Sequence, residues 1–197
     1  MITIVESAKV VSRGNASVII GGSSGRSEQT QEALLKAMSR ISVPMLIDSD
    51  AIHALAEDPS VISGKKCIIT PHSSEFFVLT GKKIYGLPLK EKMKIVKEEA
   101  KRLGAVILLK GKPDIISDGK SVALNESGTP YMSVGGTGGV LAGICGALLA
   151  RSQEFKPFLI AQAAIYISGK AGSLAAKELK ESLTPMDVVR FIPKVLH

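Results

Sequence analysis

An α/β domain with a mainly parallel sheet and helices on both faces is the fold class this sequence predicts, and three observations lead to it. Short apolar runs rich in β-branched residues alternate with stretches of helical periodicity, the pattern of strand–helix–strand units. Glycine and polar residues collect directly after the apolar runs, where parallel strands would end. With 197 residues and 45% hydrophobic content, the chain is long enough for one well-buried core and short for two, so residues 1–197 are read as a single domain.

Residues 1–5 and 17–20 read as short buried strands, since β-branched residues dominate them and turn formers bound them. The second runs into Gly21-Gly-Ser-Ser-Gly-Arg26, a loop able to approach a ligand closely, and then into a polar helix over about residues 28–40. Val43-Pro-Met-Leu-Ile-Asp48 repeats the unit, with Asp48 and Asp50 at the strand's C-terminal end and a helix over about residues 51–56 behind it. Lys66-Cys-Ile-Ile-Thr70 is the next strand, followed by Pro71-His-Ser-Ser-Glu75 and a helix over about residues 74–80. Residues 90–103 carry charges on one face and apolar side chains at helical spacing on the other, which predicts a surface helix. Ala105-Val-Ile-Leu-Leu109 is a near-continuous apolar strand ending in Lys110-Gly111. Residues 114–117 and 121–124 flank Asp118-Gly119, a two-residue hairpin signal. Three helices follow, over about residues 139–151, 157–170 and 186–196, the last opened by Thr184 as N-cap and Pro185 at the first helical position.

The formal charge of +7 and the pI near 9.4 raise nucleic acid as a partner, but the lysines are spread over several segments. With three tyrosines, five phenylalanines and no tryptophan to stack on bases, a solvated basic surface that steers an anionic small molecule is the better reading. Cys67 and Cys145 lie in apolar runs without ligand-like spacing, so they read as reduced, buried thiols, the expectation for a cytoplasmic protein. The first residues lack a basic signal-peptide n-region, and the longest apolar segment, residues 140–150, is short for a bilayer, so no membrane is expected.

Candidate chemistry gathers at the strand ends. In Ser133-Val-Gly-Gly-Thr-Gly-Gly-Val-Leu-Ala-Gly143, four glycines flank one threonine and run into a small-residue apolar helix. A helix opening near Thr137 would aim unpaired N–H groups and its positive dipole end at an anion, with phosphate the usual one. A tight turn before a close-packed helix fits the same residues. Lys110 beside Gly111 could clamp a polyphosphate from the opposite side. His72 after Pro71 fits a hydrogen-bonded loop histidine or a catalyst, and Asp48 a ligand or an acceptor for backbone N–H groups. Glu75 and Asn125 are further polar groups at strand ends. No His, Cys or carboxylate cluster has the spacing of a dedicated metal site, although Mg²⁺ can arrive with a nucleotide.

Taken in order, Gly21-Gly-Ser-Ser-Gly-Arg26, Leu46-Ile-Asp-Ser-Asp-Ala51, Thr70-Pro-His-Ser-Ser-Glu75, Leu109-Lys-Gly111, Gly135-Gly-Thr-Gly-Gly-Val-Leu-Ala-Gly143 and Leu183-Thr-Pro-Met-Asp187 resemble the ADP/ATP-dependent NAD(P)H-hydrate dehydratases of the ribokinase-like superfamily. The resemblance implies a three-layer ribokinase-like fold and a lyase that repairs hydrated NADH and NADPH, consuming ADP or ATP, with or without Mg²⁺, to make the added hydroxyl a leaving group. It implies a nucleotide site lined by Lys110, Gly111, Lys112, Pro113 and Asp114 and by Gly136, Thr137, Gly138 and Gly139. Gly25 and His72, with Asp48 and Glu75, would face the hydrate. Two departures stand out. The family reads Gly-Thr-Gly-Asp, with the aspartate as base, where this chain has Gly139, and losing a general base typically costs about 10²–10⁴-fold. The family also has a further N-terminal segment, so an open sheet edge and a homo-oligomer covering it are expected. The alternatives are a catalytically silent nucleotide-binding subunit and a small-molecule kinase of the same superfamily.

Overall fold

The computed structural model describes residues 17–151 and 154–196. The strand expected at residues 1–5 therefore lies outside the described residues. Six strands form one sheet whose spatial order repeats the chain order: β1 (Val18–Ile20), β2 (Met45–Ile47), β3 (Cys67–Ile69), β4 (Val106–Leu109), β5 (Asp114–Ser117) and β6 (Val122–Asn125). The first four are parallel, with Ile19 opposite Leu46, Leu46 opposite Ile68 and Ile68 opposite Val106. β5 and β6 are antiparallel additions at the far side.

Sequential parallel strands joined by right-handed crossovers must place every connecting helix on the same face. The connecting helices are α1 (Glu28–Arg40), α2 (Asp50–Glu57), α3 (Ser73–Thr80) and α4 (Leu89–Leu103). Their Leu34, Met38, Ile52, Leu55, Phe76 and Val96 share one buried cluster with Met45, Ile47, Cys67, Ile69 and Ile107 of the sheet. The alternation of side chains along a strand turns Leu46, Ile68, Leu108 and Ile116 to the opposite face. There α5 (Thr137–Leu149) and α6 (Pro157–Leu179) cover them through Leu141, Cys145, Ile160 and Ala164. Two covered faces explain why these strands read as unbroken apolar runs.

Three elements differ from the expectations. Helix α6 runs past residue 170 to Leu179, because Gly169 and Gly172 act there as packing residues: Cβ atoms on them would lie 2.2 Å from Ser127 Oγ and 2.2 Å from Met132 Sδ. By length and composition the helical stretch Pro157–Ser182 could cross a membrane, unlike residues 140–150, but 50% of its apolar window is buried, as in a core helix. The hairpin between β5 and β6 closes through residues 118–121 rather than two residues. Ser117 pairs with Val122, and the Asp118 carboxylate accepts from the Lys120 and Ser121 N–H groups. The helix expected over residues 186–196 divides into α7 (Pro185–Phe191) and α8 (Pro193–Leu196), since Pro193 has no N–H to continue the ladder. Thr184 and Pro185 do open α7 as expected, with Asp187 accepting from the Thr184 N–H at 3.0 Å.

Both cysteines are free and buried, and burial pushes each thiol up to about 12, which leaves them unreactive.

Candidate functional site

Because β1 to β4 are parallel, their C-terminal ends share one edge of the sheet, and Asp48, Thr70 and Lys110 each sit one residue beyond a strand there. The antiparallel strands bring the start of β5, Asp114, and the end of β6, Asn125, to the same edge. Lys110 Nζ donates to Asp48 Oδ1 at 3.0 Å and stands 3.7 Å from Glu75 Oε2. The Thr70 hydroxyl donates to the same Asp48 oxygen at 2.7 Å. Asp48 and Glu75 are both buried, and two buried carboxylates need such a cation between them. Asp48 Oδ2 accepts no hydrogen bond among the described residues, so one oxygen of this buried carboxylate stays available.

His72 caps α3. Its Nδ1 accepts from the Ser74 and Glu75 N–H groups at 3.1 and 3.2 Å, which places the ring proton on Nε2, 3.3 Å from Glu75 Oε1. Glu75 returns the contact by accepting from the His72 N–H at 2.8 Å, a reciprocal capping box. His72 is thus hydrogen-bonded within its loop through Nδ1, its side chain is half-exposed, and through Glu75 it helps fix Lys110.

Between Asp48 and Asp50, Ser49 has φ of 53° and ψ of −123°, a conformation non-glycine residues occupy only under strain. The bend sends the neighbouring carboxylates apart. Asp48 turns to Lys110, and Asp50 turns to the loop at residues 21–26, where its oxygens accept from the Gly25 N–H at 2.9 Å and from Arg26 Nε at 2.7 Å. The Arg26 hydrogen bond, together with the Gly25 N–H, holds the Asp50 carboxyl below its ordinary value against the opposing effect of burial. Gly21 opens this loop at φ of 117°, with no space for a Cβ, which would fall 1.9 Å from the Asp48 carbonyl oxygen.

After Lys110, the turn through Gly111, Lys112 and Pro113, with a cis Lys112–Pro113 peptide, is held from beneath. Asp114 accepts from the Gly111 N–H and from Asn125 Nδ2, each at 2.8 Å, and Ser127 donates to Asn125 Oδ1 at 2.7 Å. Burial pushes the Asp114 carboxyl above its ordinary value, while these donors pull it back. Its oxygens and the Asn125 side chain are thus engaged inside the protein, where they set the loop. Lys112 Nζ reaches the Glu126 carbonyl at 2.6 Å.

Across from Lys110 lies the start of α5. Gly136 precedes it at φ of 99°, backed by Pro185 of α7, whose Cγ would lie 2.8 Å from an added Cβ. The Thr137 hydroxyl donates back to the Met132 carbonyl at 2.8 Å, so it closes the turn rather than pointing outward. Among the described residues the N–H groups of Gly138 and Gly139 have no acceptor, as expected in a helix's first turn. Lys110 Nζ would be 3.9 Å from a Cβ on Gly138. Unpaired N–H groups, a positive helix end and an ammonium therefore converge, an arrangement that binds phosphate. No acidic residue lies in the first turn of α5, and Gly139 is exposed with nothing within 4 Å of a Cβ position.

The strand-end residues Asp48, His72, Glu75 and Lys110 are thus brought together with Gly138, and Gly25 is tied in through Asp50. Thr70, the Ser49 bend and the role of Arg26 were not singled out from the sequence. Thr70 was visible as a polar residue one step beyond a strand, whereas a positive φ at serine leaves no sequence signal. No group of three or more His, Cys, Asp or Glu able to hold a metal ion occurs among the described residues.

The fold is that of a ribokinase-like α/β protein, with a glycine turn opening a helix at the C-terminal edge of its sheet. The architecture matches a ribokinase-like superfamily protein from Enterococcus faecalis V583, with a TM-score of 0.82 at 26% identity, over 98% of this chain and 67% of that one. It also matches the ADP/ATP-dependent NAD(P)H-hydrate dehydratase of Bacillus subtilis co-crystallised with ATP and Mg²⁺, with a TM-score of 0.80 at 26% identity, over 97% and 69% of the two chains. The family model described as NAD(P)H-hydrate dehydratase matches residues 5–194, and the chain belongs to that family. Among curated relatives, the bifunctional NAD(P)H-hydrate repair enzyme Nnr of Hyperthermus butylicus is 43% identical over 186 residues, which is 91% of this chain and 34% of that protein. The ADP-dependent (S)-NAD(P)H-hydrate dehydratase of Cenarchaeum symbiosum is 37% identical over 169 residues, 84% of this chain and 56% of that protein. The chain thus spans between a third and just over half of these two relatives' length.

Proposed function

We propose that this chain is a nucleotide-dependent NAD(P)H-hydrate dehydratase, a lyase that uses ADP or ATP to remove water from hydrated NADH and NADPH. The observation that carries this reading is Lys110, which stands between the buried Asp48 and Glu75 carboxylates and the unpaired N–H groups that open α5. In this reading the Gly138 and Gly139 N–H groups and Lys110 hold the nucleotide phosphates, with Gly111, Lys112 and Pro113 forming the adjoining wall and Asp114 its support. Bound nucleotide supplies the phosphate chemistry that turns the hydroxyl into a leaving group. Asp48, with its available oxygen, accepts the hydroxyl proton in place of the carboxylate absent at Gly139. Glu75 and His72 keep Lys110 in place beside it, and Gly25 presents the hydrate. Mg²⁺, where it is used, would arrive with the nucleotide.

The chain is further proposed to act in the cytoplasm, where its two free thiols stay reduced, and as a homo-oligomer. Support for the oligomer is β1, an edge strand among the described residues, with Ile19 45% exposed. One domain over residues 1–197 is part of the same proposal.

The test is to incubate the protein with hydrated NADH and ADP or ATP and to follow the return of nicotinamide absorbance. Recovery that requires nucleotide supports the reading. A second reading, a nucleotide-binding subunit without catalysis, is favoured by the absence of an acid in the first turn of α5. It is established instead if calorimetry detects nucleotide binding while no absorbance returns with either nucleotide.

A further inference from the structure

Arg26 is half-exposed, yet it is not a free surface arginine. Its Nε is fixed at 2.7 Å on Asp50 Oδ1, and the other oxygen of that carboxylate holds the N–H of the preceding residue, Gly25. One buried carboxylate therefore orients both the loop backbone and the guanidinium. Asp50 is itself presented by the strained bend at Ser49, which also aims Asp48 at Lys110. Nη1 and Nη2 of Arg26 donate to no group among the described residues. A guanidinium held by its Nε edge keeps those terminal donors available in a fixed plane, the geometry suited to phosphate oxygens.

We infer that Arg26 is a substrate contact that takes a phosphate group of the dinucleotide hydrate, with Asp50 as its positioning residue. The inference rests on the dehydratase reading and adds to it the group that grips the far, anionic part of the substrate. Either the bridging pyrophosphate, common to both hydrates, or the 2′-phosphate, found only in the NADPH form, offers the required oxygens. Tethering the guanidinium in advance reduces the side-chain ordering that binding would otherwise require. Lysine reproduces the arrangement only in part, because its three donors radiate from one nitrogen and lack the coplanar pair that the terminal guanidinium nitrogens offer a phosphate.

The experiment measures KM and kcat of the parent, R26Q, R26K and D50N with NADH hydrate and with NADPH hydrate, at two ionic strengths, with folding checked by circular dichroism. R26Q should raise KM by about tenfold or more with kcat little changed, the loss expected for a charge-assisted hydrogen bond used in binding. R26K should fall between parent and R26Q. D50N should raise KM less than R26Q and retain the salt dependence of KM, which R26Q should flatten. A rise with both hydrates places the pyrophosphate on Arg26, and a rise with NADPH hydrate alone places the 2′-phosphate there. Unchanged KM in folded R26Q for both hydrates, in an active parent, overturns this inference and leaves the dehydratase reading intact. A parent that neither turns over the hydrates nor binds NADPH in calorimetry overturns both.

Discussion

On one side of the site, Asp48, Thr70, Glu75 and Lys110 interlock through side chains. On the other, the start of α5 offers only the backbone N–H groups of Gly138 and Gly139. The first wall depends on its cation, since removing Lys110 leaves two buried carboxylates without their partner. The second depends on backbone angles and on space, so it tolerates the change of a side chain that points to solvent. Gly139 lies on the tolerant wall, so under the proposed function the unpaired N–H groups there serve an anion without an acidic side chain beside them.

The sharpest break in this comparison is Lys110→Ala. It leaves Asp48 and Glu75 buried without a cation and should destabilise the fold by about 3 kcal/mol, read by urea denaturation. Calorimetry on the folded fraction should show nucleotide binding weakened by about 1.5–3 kcal/mol. Unchanged stability and affinity would mean that the cluster does not depend on its cation.

On the glycine wall, position should matter more than composition. Gly136→Ala forces a Cβ at φ of 99° and against Pro185, and should cost about 1–3 kcal/mol of stability. Gly139→Ala meets nothing within 4 Å and should be neutral, or stabilising by up to about 1 kcal/mol. Thermal melts of the pair decide it, and equal losses would remove the distinction between the walls.

Gly139→Asp sharpens the comparison in the other direction. A carboxylate in the first turn is favoured by the helix dipole and should raise any hydrate-repair rate by at least roughly tenfold. If nucleotide still binds and the rate does not rise, the missing aspartate is not what limits turnover.

The smallest effect concerns pH. The Asp50 carboxyl lies below its ordinary value in the folded protein, so its contribution to holding the loop at residues 21–26 is present above that ordinary value. It is lost as pH falls through the lowered folded value. Protection of the Gly25 amide from exchange should decline over that acid range in the parent and show no such step in Asp50→Asn. A step that persists in the variant would assign the titration to another group.

Much of this architecture was legible in the sequence because it follows from local pattern. The apolar runs marked β1 to β4, and the glycine or polar residue after each run marked the edge where Asp48, Lys110 and the glycine turn meet. What escaped was decided by tertiary contact. The helix expected over residues 157–170 continues to Leu179, because residues 127–132 pack where side chains at Gly169 and Gly172 would be. Asp118-Gly119 carried a two-residue turn signal, whereas the Asp118 side chain closes a longer one. The separation of Asp48 from Asp50 depends on one backbone angle at Ser49, which no residue type announces.

The most direct test of the central claim, that backbone amides at the start of α5 and Lys110 together hold nucleotide phosphates, is to follow the backbone amide resonances during titration with ADP. The account predicts the largest shifts at Gly138 and Gly139, reduced in Lys110→Ala at the same ADP concentration. Saturating ADP that moves other amides and leaves those two in place would contradict it.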